Sequence, residues 1–220
     1  MKKTLSFLVA ALIPFFLLMS AIRILFNPFY LQIEYRAPNF PPDPYGFTTA
    51  ERLEWGRISI LYITQGHELS YLADQRLPNG QQLYNERELS HMLDVQIVFL
   101  NMVTAWWILA AILLILGLLA WRLNTLTAYI QGILTGGWAT LGLIAAILIA
   151  VALSFRQLFT LFHKLFFSGD SWLFEFSDTL IRLFPLRLWQ DAFILVGVIS
   201  AIGGLLCLLI GRSLLKKLKS

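Results

Sequence analysis

Four stretches of about twenty apolar residues dominate this chain, and they decide what it can fold into. They cover residues 5–26, 98–121, 130–155 and 192–211. A helix needs about 20 mostly apolar residues to cross the hydrocarbon core of a bilayer. The last three stretches contain no charged residue. The first contains only Arg23, near its far end, from where a long side chain reaches the headgroups. Backbone polar groups in lipid must be satisfied within the segment, so each stretch is expected to be helical. The 220 residues are 58% hydrophobic and only 14% charged, against about a quarter charged in a soluble domain. The expected fold is an all-α membrane protein with four transmembrane helices, residues 1–220 forming a single integral membrane domain.

Charge position sets the expected orientation. Lys2 and Lys3 precede the first stretch, Arg122 lies between the second and third, and Arg212, Lys216, Lys217 and Lys219 follow the fourth. These regions hold no Asp or Glu, and the positive-inside rule places them, with both termini, in the cytoplasm. All 13 acidic residues and His67, His91 and His163 fall in residues 27–97 and 156–191, which become the extracytoplasmic regions. The net charge of +4 therefore marks sidedness and not a nucleic-acid partner. Lys2 and Lys3 ahead of Met19-Ser20-Ala21 also have the order of a cleavable signal peptide. The apolar run is longer than the usual 7–15-residue hydrophobic region, roughly twice it, so the first stretch is expected to remain as a span. A single cysteine, Cys207, excludes an intramolecular disulfide.

The first outer region is expected to be mostly helical. Asn39-Phe40-Pro41-Pro42-Asp43-Pro44-Tyr45-Gly46 is too rich in proline for helix. Thr48 and Glu51 have capping-box spacing, and a helix from there toward Gly66 would turn Leu53, Ile60 and Leu61 to an apolar face and Arg52 and Glu54 elsewhere. Pro78-Asn79-Gly80 reads as a turn, and Asn85 with Glu88 as a second helix start running into the second span. The region after the third span is dense in aromatics and is expected to lie at the membrane surface as short amphipathic pieces. Gly136, Gly137 and Gly142 are expected to allow close helix packing.

His91 and His163 carry the most specific chemical signal. One precedes the second span and the other follows the third, so both can meet at one level. A neutral imidazole there takes a proton near pH 7. Asp94 is three residues from His91 on the same helix face and can orient it. The same spacing also fits two interfacial residues with structural hydrogen bonds only. His67-Glu68 lacks the second histidine of a zinc-protease helix, because position 71 is Tyr71. A metal site from His67, His91 and His163 would draw on ligands far apart in sequence. Asp170 and Asp178 flank Trp172, with Arg182 beyond. As carboxylates they serve acid–base work, or they cap short helices and pair with an arginine.

Two stretches resemble a known family. They are Glu88-Leu89-Ser90-His91-Met92-Leu93-Asp94-Val95, and Phe162-His163-Lys164-Leu165-Phe166-Phe167 with Gly169-Asp170-Ser171-Trp172 and Asp178-Thr179-Leu180-Ile181-Arg182-Leu183-Phe184-Pro185. With the four-span layout and long first outer loop, they resemble the bacterial lipoprotein intramolecular transacylase family. The resemblance implies an enzyme of the bacterial cytoplasmic membrane with its active site on the outer face. Its substrate would be a diacylglyceryl-modified lipoprotein, and it would move the sn-2 acyl chain from glycerol to the α-amine of the N-terminal cysteine. The family's two outer-face histidines fall on His91 and His163, which are expected to be catalytic with Asp94 orienting, and Asp170, Trp172 and Arg182 are expected to contact substrate. No metal or cofactor is implied, membrane lipid is the other partner, and the enzyme is expected to act as a monomer. Two readings compete with it: a non-enzymatic membrane scaffold or sensor, and a metal-dependent membrane hydrolase. A transporter fits poorly, because the spans hold no buried charge pair or broken helix.

Overall fold

The computed structural model describes residues 2–218, so Lys219 of the positive C-terminal cluster lies outside the described residues. The described chain is helical, with no strand among these residues: α1 (Lys2–Leu25), α2 (Pro28–Glu34), α3 (Thr49–Gln65), α4 (Ser70–Ala73), α5 (Glu86–Arg122), α6 (Leu126–Phe166), α7 (Thr179–Leu183) and α8 (Leu186–Lys217). Helices α1, α5, α6 and α8 are long and apolar enough to cross a membrane. Each predicted stretch lies inside one of them, apart from Phe26. The helices α5, α6 and α8 outrun their apolar stretches by several residues. Ser154 breaks α6 with an extended backbone (φ −163°, ψ 87°), one residue before the third stretch ends. The chain divides into two compact units. One comprises Met1–Ile24, Val103–Leu153 and Phe193–Ser220, the other Leu25–Met102 and Ser154–Ala192.

The first unit is built from the apolar parts of the four long helices, and its outer surface is itself apolar. Phe7, Leu114, Trp121 and Leu153 are 72%, 64%, 62% and 81% exposed. A contiguous surface of this kind is covered by lipid and not by water. Small residues set the helix spacing. A Cβ added to Gly132 or Gly136 of α6 would stand 2.6 Å from the Cβ of Val9 or Ile13 on α1, and one on Gly137 would stand 2.8 Å from the Gly204 carbonyl of α8. Gly142, expected to do the same, has nothing within 4 Å, because its helix face is turned outward. Gly136→Ala is therefore expected to destabilise the protein in detergent by about 1–3 kcal/mol. Gly142→Ala is expected to be neutral or stabilising by up to about 1 kcal/mol. Thermal melts of the two variants check this directly. Arg23 lays its guanidinium over the Trp106 ring at 4.0 Å, which keeps a charge tolerable at the end of α1.

In the second unit, α3 packs against α2, α4 and α7. Its capping box forms as expected: Thr48 accepts from the Glu51 N–H at 3.2 Å, and Glu51 accepts from the Thr48 N–H at 2.8 Å. Gly66 ends the helix with φ 69°. The Pro78-Asn79-Gly80 turn also forms, with Gly80 at φ 85° and an isolated bridge between Arg76 and Gln82. The inward face of α3 differs from the expected one. Ile60 is buried, but Leu53 and Leu61 are only half-buried, and Arg52 is 3% exposed. Arg52 is tolerated there because Nε and Nη1 donate to the Arg182 and Pro41 carbonyls, each at 2.9 Å, and the guanidinium stacks on Tyr35 at 4.5 Å. The charge thereby clamps the proline-rich loop to α3 and α7.

Candidate active site

The first turn of α5 explains where His91 stands. Asn85 accepts from the Glu88 N–H at 3.0 Å, and Glu88 accepts from the Asn85 N–H at 2.9 Å, which closes a reciprocal cap. The other Glu88 oxygen accepts from the Leu180 N–H of α7 at 2.6 Å. Glu88 is 1% exposed, and burial pushes its carboxyl up to about 7 against the pull of these N–H groups. One carboxylate thus joins the start of α5 to the start of α7. His91 follows one turn later and is 7% exposed.

His163 comes from a second long helix, on the part of α6 beyond the Ser154 break. Its Nδ1–H donates to the Phe159 carbonyl at 2.8 Å, which fixes the ring and leaves Nε2 with a lone pair when the imidazole is neutral. The two imidazoles stack, with centroids 6.0 Å apart and planes 21° apart. Aromatics wall the pair. Phe167 and Phe174 meet His91 edge-on at 4.9 and 5.3 Å, and Phe159 and Trp172 lie 4.1 and 5.0 Å from His163. Burial, with His163 adding to it, pushes His91 down to about 4. Burial also lowers His163, against the upward pull of its bond to Phe159. Both rings are neutral at pH 7, so the pair offers bases and donors in an apolar setting.

The other candidates part company. Trp172 joins the histidines. Asp94 accepts from the Ser171 hydroxyl at 3.3 Å, and no hydrogen bond among the described residues joins it to His91, whose Nδ1 is buried without a partner. Asp170 is exposed in the turn that precedes Trp172. Arg182 is paired with Asp43 at 2.9 Å and sits 3.1 Å over the Phe47 ring. Asp178 stands at the start of α7, where it accepts from the Glu175 N–H and the Asn85 amide. His67 stacks on Tyr71 at 4.2 Å and bonds to Gln65. No group of three or more His, Cys, Asp or Glu among the described residues is placed to hold a metal ion.

The sequence reading gave no role to Phe159, Phe167 or Phe174. Phe159 lies four residues before His163 on the same helix face, and Phe167 lies four residues after it, just past the helix end, so that signal was available. Phe174 reaches His91, and Ser171 reaches Asp94, only through the fold of a turn, for which spacing gives no cue. The segment after the third span also differs from the short pieces expected. Its first eleven residues, 156–166, continue α6.

Comparison with known proteins bears on the family and the fold. The chain is 29% identical over 229 residues to an uncharacterized protein of Aquifex aeolicus, covering 98% of each. The solved structure of the membrane-integral lipoprotein intramolecular transacylase Lit from Bacillus cereus superposes with a TM-score of 0.81 at 21% identity, over 100% of this chain and 98% of that one. A histidine-to-alanine variant of the same protein gives 0.73 at 20% identity. These structures share the fold. The family described as lipoprotein intramolecular transacylase Lit matches residues 7–189, a range that takes in both histidine-bearing stretches. The chain belongs to the lipoprotein intramolecular transacylase family, the one its two motif stretches resemble.

Proposed function

We propose that this enzyme moves the sn-2 acyl chain of a diacylglyceryl-modified lipoprotein cysteine onto that cysteine's own α-amine, leaving a lyso-form N-acyl lipoprotein. We place the reaction on the outer face of a bacterial cytoplasmic membrane, with both termini inside. Lysines and arginines without acids flank one end of every span, which supports this orientation. The observation that carries the function is the buried, stacked histidine pair with unlike hydrogen-bonding ends.

His163 is the base. Its Nδ1–H is held by Phe159, so Nε2 is free to accept a proton. His91 has no acceptor at its buried Nδ1, and an orphaned lone pair is tolerated better than an orphaned N–H. Its proton therefore sits on Nε2, as a donor. The amine nitrogen attacks the ester carbonyl carbon as His163 Nε2 takes a proton from it. The tetrahedral oxyanion accepts from the His91 Nε2–H. Collapse breaks the bond to the glycerol oxygen, which receives the proton from His163. An amide and a free hydroxyl replace an amine and an ester, and no water is consumed. Amine and ester belong to one molecule, so orientation supplies much of the rate. Trp172, Phe167 and Phe174 exclude water and form the wall against substrate. Asp94 acts through Ser171, holding the segment that carries Trp172 and Phe174 over the rings. Asp170, exposed beside it, is free to meet the lipoprotein peptide.

Mass spectrometry of lipoprotein N-termini tests the proposal, in a host without its own N-acylating enzyme and with or without this protein. N-acyl cysteine bearing a mono-acylated glycerol is expected. Unchanged diacylglyceryl lipoproteins with free amines, despite confirmed membrane expression, would refute it and favour a scaffold. The lowered histidine pKa values predict a pH profile. The base is already neutral below the ordinary histidine value of about 6.5, so log kcat/KM should show no break there. It should rise with pH until the substrate amine is deprotonated, near 7.7–8.0, approximately the free-amine value. A break near 6.5 would remove His163 as a buried base.

A further inference from the structure

In the first unit, the opening turns of α1, the 123–125 turn and the opening turns of α6 enclose a cleft of about 580 Å³. Lys2, Lys3, Asn124, Thr127, Gln131 and Thr135 line it. None of these six side chains has a hydrogen-bond or ion-pair partner among the described residues. Thr127, Gln131 and Thr135 recur every four residues, forming an exposed polar stripe on α6. Gln131 and Thr135 lie inside the third apolar stretch, where an unpaired amide or hydroxyl facing lipid is costly. The unit contains no Asp or Glu at all, so no acidic side chain within it pairs with the two lysines. Phe7, 72% exposed, lines the same cleft and offers an apolar edge.

We propose that this cleft binds the headgroup of an anionic phospholipid from the leaflet on the lysine side. The phosphodiester oxygens accept from the Lys2 and Lys3 ammonium groups. The glycerol hydroxyls of a phosphatidylglycerol head exchange hydrogen bonds with Asn124, Thr127 and Gln131, and an acyl chain lies along Phe7. Both sets of unpaired groups are then satisfied by one molecule, with a cation, a polar stripe and an apolar edge each matched. The site is separate from the histidine pair and does not depend on the transacylase reading.

Native mass spectrometry of the full-length protein in detergent, with phosphatidylglycerol, phosphatidylcholine or sn-glycerol 3-phosphate added, tests this. Phosphatidylglycerol should remain bound where phosphatidylcholine does not. Lys2→Gln with Lys3→Gln should weaken it about twenty-fivefold, at about fivefold for each lysine. Those lysines also help set orientation, so Gln131→Leu with Thr135→Val is the companion variant, and it should weaken retention while leaving the membrane-inserted fraction unchanged. Equal retention of both lipids, or retention unaffected in both double variants, overturns the proposal. Binding of glycerol phosphate alone as tight as that of the whole lipid also overturns it, in favour of a soluble-anion site.

Discussion

His163→Gln is expected to lower the transacylation rate by about 10²–10⁴-fold, the usual contribution of a positioned general base. A glutamine amide cannot accept and hold a proton at neutral pH, so nothing replaces Nε2. His91→Gln is expected to fall less, because the amide N–H still donates to an oxyanion. His91→Ala, without a donor, should lose about 10²–10³-fold. The contrast between the two glutamine variants assigns the roles, and single-turnover assays on a diacylglyceryl lipopeptide read it. If His163→Gln keeps activity and His91→Gln loses it, the roles are reversed. Because the two rings serve one transition state, the double alanine variant should be little worse than His163→Ala alone. Additive losses would mean that they serve separate steps.

The spans were legible in the sequence because lipid imposes one requirement on every residue of a segment, and length with charge suffices to read it. The helix starts at Thr48 and Asn85 were legible for a similar reason: a reciprocal cap is a local device with fixed spacing. The meeting of His91 and His163 was a reasonable expectation from their positions relative to two spans. What the sequence could not show was the partner of each polar group across the fold. Asp94 is one turn from His91, yet its bond goes to Ser171, 77 residues away. Glu88 looked like a cap and is also the acceptor for α7, 92 residues on. Arg52 was expected off the apolar face of α3, but Pro41 and Arg182 carbonyls and a Tyr35 ring receive it. Spacing reports which residues share a face and leaves open what that face meets.

Arg182 gives the second large expected effect and separates two readings of one residue. The sequence reading expects it to contact substrate, while the structure pairs it with Asp43, whose side chain is wholly buried. Burial raises the Asp43 carboxyl, but the Arg182 guanidinium and the Phe47 N–H outweigh it and hold the carboxyl below its ordinary value. Both partners are therefore charged at neutral pH, and removing one leaves the other uncompensated. Arg182→Met is expected to cost about 3–5 kcal/mol, seen as a lower melting temperature in detergent. Asp43→Leu with Arg182→Met should recover most of that loss, since a buried ion pair is often no more stable than apolar residues of similar volume. The recovered double variant is the informative protein. If it transacylates near the parent rate, Arg182 serves only to dock the proline-rich loop on α7, through Asp43 and the stacked Phe47. If it is as stable as the parent but inactive, the guanidinium has a second duty toward substrate that the Asp43 pair conceals. A double variant no more stable than Arg182→Met alone would show that the pair is coupled to Arg52, whose Nε bonds to the Arg182 carbonyl, so that the loop, α3 and α7 fall together.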